Sequence, residues 1–125
     1  MKLFTYILII LFATACLQEK ITPADNALDA ARGYKTACLK GNFDIAKNYL
    51  TESSKSSYYF TEHQKDFKIL SDAQKRELYA ASLVIYTVKS ISPTQSLVIV
   101  KDSYTKLIDT ITTIKQNNIW LVQLK

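Results

Sequence analysis

The chain is poor in the residues from which most phosphate, metal and redox sites are built. Its 125 residues include two glycines, one histidine and two cysteines. The isolated Gly33 and Gly41 cannot form a glycine-rich phosphate loop. One histidine with two widely separated cysteines does not give the spacing of a zinc site. We therefore expect no cofactor, no bound metal and no catalytic constellation.

Positive charge is only mildly in excess. Lys and Arg total 16 against 11 Asp and Glu, which gives a net charge of +5. The basic residues are spread singly along the chain, without the clustered patch that nucleic-acid binding requires. We expect no nucleic-acid partner.

The first fifteen residues have the three parts of a secretory signal. Lys2 supplies a positive charge, residues 3–12 form an apolar run, and the small residues Thr14 and Ala15 follow. The apolar run is shorter than the roughly 20 residues of a membrane-spanning helix. The pattern predicts a signal peptide over residues 1–15.

The segment around Cys16 resembles a lipobox. Ala13-Thr14-Ala15 precedes the cysteine, although lipoboxes prefer Leu where Ala13 stands. The resemblance implies cleavage before Cys16, lipid on its thiol and anchoring in the bacterial cell envelope. Residues 16–22 would then be a lipidated tether and residues 23–125 the domain. The alternative is an ordinary signal peptide followed by an incidental cysteine.

Lipidation of Cys16 would leave Cys38 without a disulfide partner. Cys38 lies within a stretch whose apolar residues recur at helical spacing. We expect it to be a small apolar residue on a buried helix face.

The N-terminal half of the domain is predicted to be helical. Thr22-Pro23 is a candidate start for the first helix, and Gly41 is a candidate left-handed end. Asn42 caps a short second helix, residues 58–69 form another, and Ser71-Asp72 begins one that extends to residue 81.

The C-terminal half is predicted to be a sheet. Residues 83–91, 95–104, 107–115 and 119–124 are rich in β-branched residues and are separated by short turns. Helices followed by strands indicate an α+β domain in which N-terminal helices pack on a four-stranded antiparallel sheet.

A two-residue turn at Asn117-Asn118 fixes the register of the last two strands. It assigns six residues to the face that packs on the helices: Leu107, Asp109, Ile111, Trp120, Val122 and Leu124. The opposite face carries Ile108, Ile114 and Leu121. It is therefore more apolar than a fully solvent-exposed face needs to be. That face is a candidate surface for a homodimer or an envelope protein.

Three short motifs resemble small bacterial lipoproteins with an NTF2-like or cystatin-like domain, of the DUF4878 type. They are Lys-Gly-Asn-Phe-Asp at 40–44, Ile-Ala-Lys-Asn-Tyr-Leu at 45–50 and Asn-Asn-Ile-Trp-Leu-Val at 117–122. The family usually has Gly-Lys-Trp where this chain has Asn-Ile-Trp. The resemblance implies a curved sheet wrapped around a long helix. Residues 30–50 also resemble one tetratricopeptide unit, but a solenoid needs about three repeats.

Four residues are candidates for a pocket: Tyr58, Tyr59, His63 and Asp109. The NTF2-like resemblance implies that a carboxylate such as Asp109 could act as an acid or base inside the sheet. The alternatives are a solvated His63 and an Asp109 at the rim of the sheet. Two function classes follow: a non-catalytic module that binds a small ligand or a protein, and a small cone-fold enzyme. The lack of a catalytic pattern favours the first.

Overall fold

The computed structural model describes residues 24–124. Five helices come first: α1 (Ala27–Leu39), α2 (Phe43–Lys47), α3 (Glu52–Lys55), α4 (Tyr58–Lys68) and α5 (Asp72–Ala80). Four strands follow: β1 (Leu83–Ser92), β2 (Gln95–Asp102), β3 (Ile108–Gln116) and β4 (Ile119–Gln123). This order confirms the predicted α+β architecture. The predicted signal, Cys16 and the tether at 16–22 lie outside the described residues.

The described helices are short. Between residues 24 and 124, none combines the length and the apolar character needed to cross a membrane.

Helix α1 begins later than the sequence predicts. Its N-cap is Asn26, whose side-chain oxygen accepts a hydrogen bond from the Asp29 N–H at 2.8 Å. Thr22 and Pro23, the predicted start, lie outside the described residues. Just before the cap, the Ala24 carbonyl accepts a hydrogen bond from the Trp120 N–H at 3.2 Å. This contact holds the chain against β4, so helical geometry starts only after Asn26.

The turn between α1 and α2 is as predicted. Gly41 has a φ of +70°, a conformation that a residue with a Cβ adopts only at a cost. The Asn42 side chain then caps α2 by accepting the Ile45 N–H at 3.4 Å. A Cβ at position 41 would overlap the ring of Phe67, so this turn also packs closely against α4.

The polar run after α2 is partly buried. Ser54 lies in α3 and is fully buried. Its hydroxyl oxygen accepts the Leu124 N–H at 2.9 Å and lies 2.7 Å from the Thr51 hydroxyl. This short helix therefore fixes the end of the last strand.

The four strands form an antiparallel sheet in the order β1-β2-β3-β4. Gln116 pairs with Ile119 and Thr113 pairs with Val122, which confirms the predicted register. Asn117 and Asn118 have φ values of 51° and 63°. Positive φ at both central residues is the signature of a type I′ hairpin turn.

The core lies between α1 and one face of the sheet. Alanines of α1 allow a close approach, and Val98, Val100, Ile111 and Val122 fill the sheet side. Trp120 and Leu124 are partly buried and pack against this core, as their assigned face predicts.

One assignment to the core face is wrong, and a second residue on that face is not buried. Leu107 is 71% exposed, because it lies in the loop before β3 next to Lys106, which has a φ of 57°. Asp109 lies on the helix-facing side of β3, as assigned, because it pairs with the buried Val100 and contacts Lys35 of α1. Its side chain is nevertheless 49% exposed, so solvent reaches the carboxylate.

Candidate functional site

Tyr34 of α1 and His63 of α4 meet where the two helices converge. The Tyr34 phenol oxygen lies 3.0 Å from Nδ1 of His63. Tyr34 belongs to the apolar stripe of α1 and is only 2% exposed. His63 lies one turn after the buried Phe60, which anchors α4 in the core and turns His63 towards α1.

The surroundings keep both groups of this pair neutral near pH 7. Burial raises the pKa of the Tyr34 phenol, and the neighbouring Cys38 raises it further. Desolvation lowers the pKa of His63, and the positive charge of Lys35 lowers it too, although much of the His63 side chain is exposed. Either neutral tautomer of His63 can complete the bond, with the phenol or the ring N–H as the donor.

A second pair joins α1 to the sheet. The Lys35 ammonium donates a hydrogen bond to Oδ2 of Asp109 at 2.9 Å. The Lys35 side chain is 21% exposed and the Asp109 carboxylate side chain 49% exposed. The ion pair neutralises Lys35, and within residues 24–124 the other carboxylate oxygen of Asp109 accepts no hydrogen bond.

Two cavities lie on either side of the Tyr34–His63 pair. The sheet cavity, of about 430 Å³, lies against β3 and the end of β4, and Tyr59, Asp109, Thr110 and Leu124 are among its walls. The helix cavity, of about 300 Å³, lies among α1, α2, α4 and α5. Its apolar walls include Leu39, Phe43, Phe67, Leu70 and Leu78. Tyr34 and His63 line both cavities.

Three of the four candidate pocket residues come together. Tyr59, His63 and Asp109 all line the sheet cavity. Tyr58 is not among its walls; it is 70% exposed and packs edge-to-face on Tyr59 with ring centres 5.9 Å apart. Tyr34 and Lys35 are also site residues, but the sequence does not single them out, because a tyrosine and a lysine at helical spacing also fit a core stripe and a solvated face.

Cys38 is partly buried and lines the helix cavity. Burial raises the pKa of its thiol to about 11. Since the thiolate is the nucleophilic form, Cys38 is unreactive at neutral pH. Its position agrees with the expected role as a small apolar helix residue.

Asp102, which lines the helix cavity, uses its carboxylate to hold the loop after β2. Its carboxylate accepts hydrogen bonds from the Tyr104 N–H at 3.0 Å and the Thr105 N–H at 2.6 Å. Burial by itself would raise the pKa of Asp102, but these bonds and the Thr105 hydroxyl lower it below its usual value. Within residues 24–124, no three side chains of the metal-binding types form a cluster.

No protein-family model matches the sequence, and no curated protein matches it significantly. The fold is similar to a crystal structure described as an NTF2-like protein of unknown function from Shewanella oneidensis MR-1. The two chains are 13% identical, with a TM-score of 0.50, over 76% of this chain and 89% of the other. At this identity the likeness concerns the fold alone. The helices and the open four-stranded antiparallel sheet of this chain therefore form an NTF2-like fold.

Proposed function

We propose that this protein is a lipid-anchored module of the bacterial cell envelope that binds a small ligand beside Tyr34 and His63 without transforming it. The observation that carries the binding role is the pair of cavities that meet at these residues. Cavities of a few hundred Å³ with apolar walls and a few polar groups are typical small-molecule sites.

The states of the polar groups favour binding over catalysis. Acid–base catalysis needs a group that titrates near the working pH and a second group that orients it or stabilises charge. The Tyr34 phenol and the Cys38 thiol hold their protons tightly, and Asp109 is paired with Lys35. Desolvation lowers the pKa of His63, and its Nδ1 is engaged by Tyr34.

A cone-fold enzyme is the second candidate, because His63 and Asp109 line the same cavity. In that reading His63, neutral at pH 7, is the general base, and the Lys35–Asp109 pair stabilises the developing charge. His63→Gln and Asp109→Asn separate the two functions. If a molecule of the envelope extract is consumed by wild type and not by either variant, the protein is an enzyme.

Anchoring is tested by metabolic labelling with palmitate. We expect the label in the wild-type protein and its loss in Cys16→Ala, with release of the domain from the membrane. Cys38→Ala is the matched control, because it removes the only other cysteine and leaves the lipobox-like segment intact. Labelling that persists in Cys16→Ala would refute the anchor.

Ligand binding is tested by NMR, with the full-length protein in lipid nanodiscs. His63 is the only histidine and Trp120 the only tryptophan of the chain. Fractions of an envelope small-molecule extract are added, and the imidazole signals of His63 are followed. We expect one fraction to shift them saturably while the Trp120 indole signal stays in place, because Trp120 lines neither cavity. If no fraction shifts His63, the proposal fails.

The outer face of the sheet is proposed as the contact with a second copy of the chain. Ile108 on this face is 66% exposed, and Ile114 and Leu121 are partly exposed. Apolar exposure of this kind is typical of surfaces covered by a partner. Sedimentation of wild type and Ile108→Lys tests this: a concentration-dependent dimer lost in the variant supports the contact, and a wild-type monomer refutes it.

A further inference from the structure

We propose that the two cavities are halves of one site and that the site takes an elongated amphipathic cation, such as a long-chain primary amine. The apolar part of the ligand lies in the helix cavity, and its polar end lies in the sheet cavity. The inference rests on the proposed binding function and names the chemical class of the ligand.

The shared wall links the cavities. Tyr34 and His63 line both, and Lys35, which lines the helix cavity, reaches Asp109 of the sheet cavity. The Tyr34–His63 and Lys35–Asp109 pairs therefore lie between the two cavities. Since much of the His63 side chain is exposed, a ligand can cross from one cavity to the other along this residue.

The two cavities differ in character. The helix cavity is enclosed largely by the aliphatic and aromatic side chains of Leu39, Phe43, Phe67, Leu70 and Leu78. The sheet cavity adds the hydroxyl-bearing Tyr59 and the half-exposed carboxylate of Asp109. A molecule with one apolar end and one polar end matches the walls of both cavities. A uniformly polar molecule would leave the apolar walls in contact with water.

The charges of the walls select a cation. Among the described residues, Lys35 is the one Lys or Arg in the walls of the two cavities, and Asp109 already neutralises it. Asp66, on the rim of the helix cavity, takes part in no ion pair within the described part of the chain. Asp66 follows His63 by three residues on α4, so its negative charge borders the wall that the two cavities share. In the sheet cavity, an ammonium can donate a hydrogen bond to the second carboxylate oxygen of Asp109. An anionic head group in the sheet cavity would meet the carboxylate of Asp109 and a Lys35 ammonium that Asp109 already pairs.

The test uses the full-length protein in nanodiscs and follows the imidazole signals of His63. Decylamine, decanol and decanoate differ in charge at the same chain length, and hexylamine shortens the chain. Partitioning into empty nanodiscs is measured and subtracted. We expect decylamine to bind at least about tenfold more tightly than decanoate. It should also bind on the order of a hundredfold more tightly than hexylamine, because four more methylenes are buried.

Two variants locate the two ends of the ligand. Leu70→Trp fills the helix cavity and should abolish the advantage of decylamine over hexylamine. Asp109→Asn keeps the shape, removes one negative charge and frees Lys35, and it should abolish the preference for decylamine over decanol. Both variants are first checked for wild-type melting temperatures, and Leu70→Phe replaces Leu70→Trp if the latter does not fold.

The outcomes separate this inference from the binding function itself. Decanoate that binds as tightly as decylamine overturns the charge assignment, and equal affinities for the two amines overturn the bipartite site. If an envelope fraction shifts His63 but no amine does, the ligand class is wrong and the binding function stands. If neither the extract nor any amine shifts His63, both fail.

Discussion

The phenol oxygen of Tyr34 and Nδ1 of His63 lie 3.0 Å apart and tie α1 to α4 between two cavities. The two residues are 29 positions apart in the chain, and the sequence gives no sign that they meet. Their contact joins α4 to α1, and both residues are walls of both cavities.

A double-mutant cycle with Tyr34→Phe and His63→Gln measures this contact. Tyr34→Phe keeps the buried ring and removes only the hydroxyl, so the change reports the hydrogen bond. We expect a coupling of about 0.5–1.5 kcal/mol in the free energy of unfolding. Denaturant unfolding of the four proteins gives the value. If the changes that the two substitutions make in the free energy of unfolding are additive, the hydrogen bond contributes nothing to stability.

The stability of the domain should fall as the pH drops below about 6.5, the ordinary pKa of histidine. The pKa of His63 is lowered in the folded state, so the unfolded chain binds the proton more readily and protons favour unfolding. Lys35 opposes the imidazolium, while Asp109 and Asp66 favour it. Since the His63 side chain is partly exposed and solvent screens its interactions, the decrease should be small.

Thermal melts from about pH 7.5 to 5.5 detect this decrease. The shifted groups Tyr34, Cys38 and Asp102 titrate outside this window, so they leave it undisturbed. In the His63→Gln variant, the decrease of the melting temperature with falling pH should disappear. A variant that retains the wild-type slope would show that another group is responsible.

Ser54→Ala should destabilise the domain by about 1–3 kcal/mol, because it leaves the buried Leu124 N–H without an acceptor. Ser56→Ala is the matched control: Ser56 lies two residues further along and is exposed, so its loss should change little. Urea unfolding compares the two. Equal midpoints for both variants would show that Ser54 does not hold the end of β4.

Gly41→Ala should cost about 1–2 kcal/mol from the left-handed backbone alone. The new Cβ would also meet the ring of Phe67, which adds to the cost. Repeating the substitution in a Phe67→Leu background separates the two contributions, since the smaller side chain removes the overlap. If Ala is tolerated in both backgrounds without loss of stability, the α1–α2 turn does not have this geometry.

The sequence predicts those features that depend on neighbouring residues. Gly41 and Asn42 end one helix and cap the next, and Asn117-Asn118 forms the hairpin that sets the register of β4. Each of these sequence signals determines the conformation of residues only a few positions away in the chain. The predicted start of α1 is wrong because a distant contact competes with the local preference of Thr22-Pro23. In this contact the Trp120 N–H donates a hydrogen bond to the Ala24 carbonyl.

The candidate site was predicted only in part for the same reason. His63, Tyr59 and Asp109 could be chosen by residue type, and they do line one cavity. The Lys35–Asp109 pair joins residues 74 positions apart, and the Ser54–Leu124 bond joins residues 70 apart. Such contacts follow from how the helices lie on the sheet, which no local pattern encodes. The same applies to Leu107, whose apolar character wrongly suggested a core position.

The most direct test of the account is mass spectrometry of the small molecules released when the full-length protein, purified from its own membranes, is denatured. We predict that wild type releases one amphipathic amine in roughly equimolar amount, as expected for a single site near saturation. The Leu70→Trp variant, folded and purified in the same way, should release little of it. A wild-type protein that releases no small molecule beyond those of the Leu70→Trp sample would contradict the account.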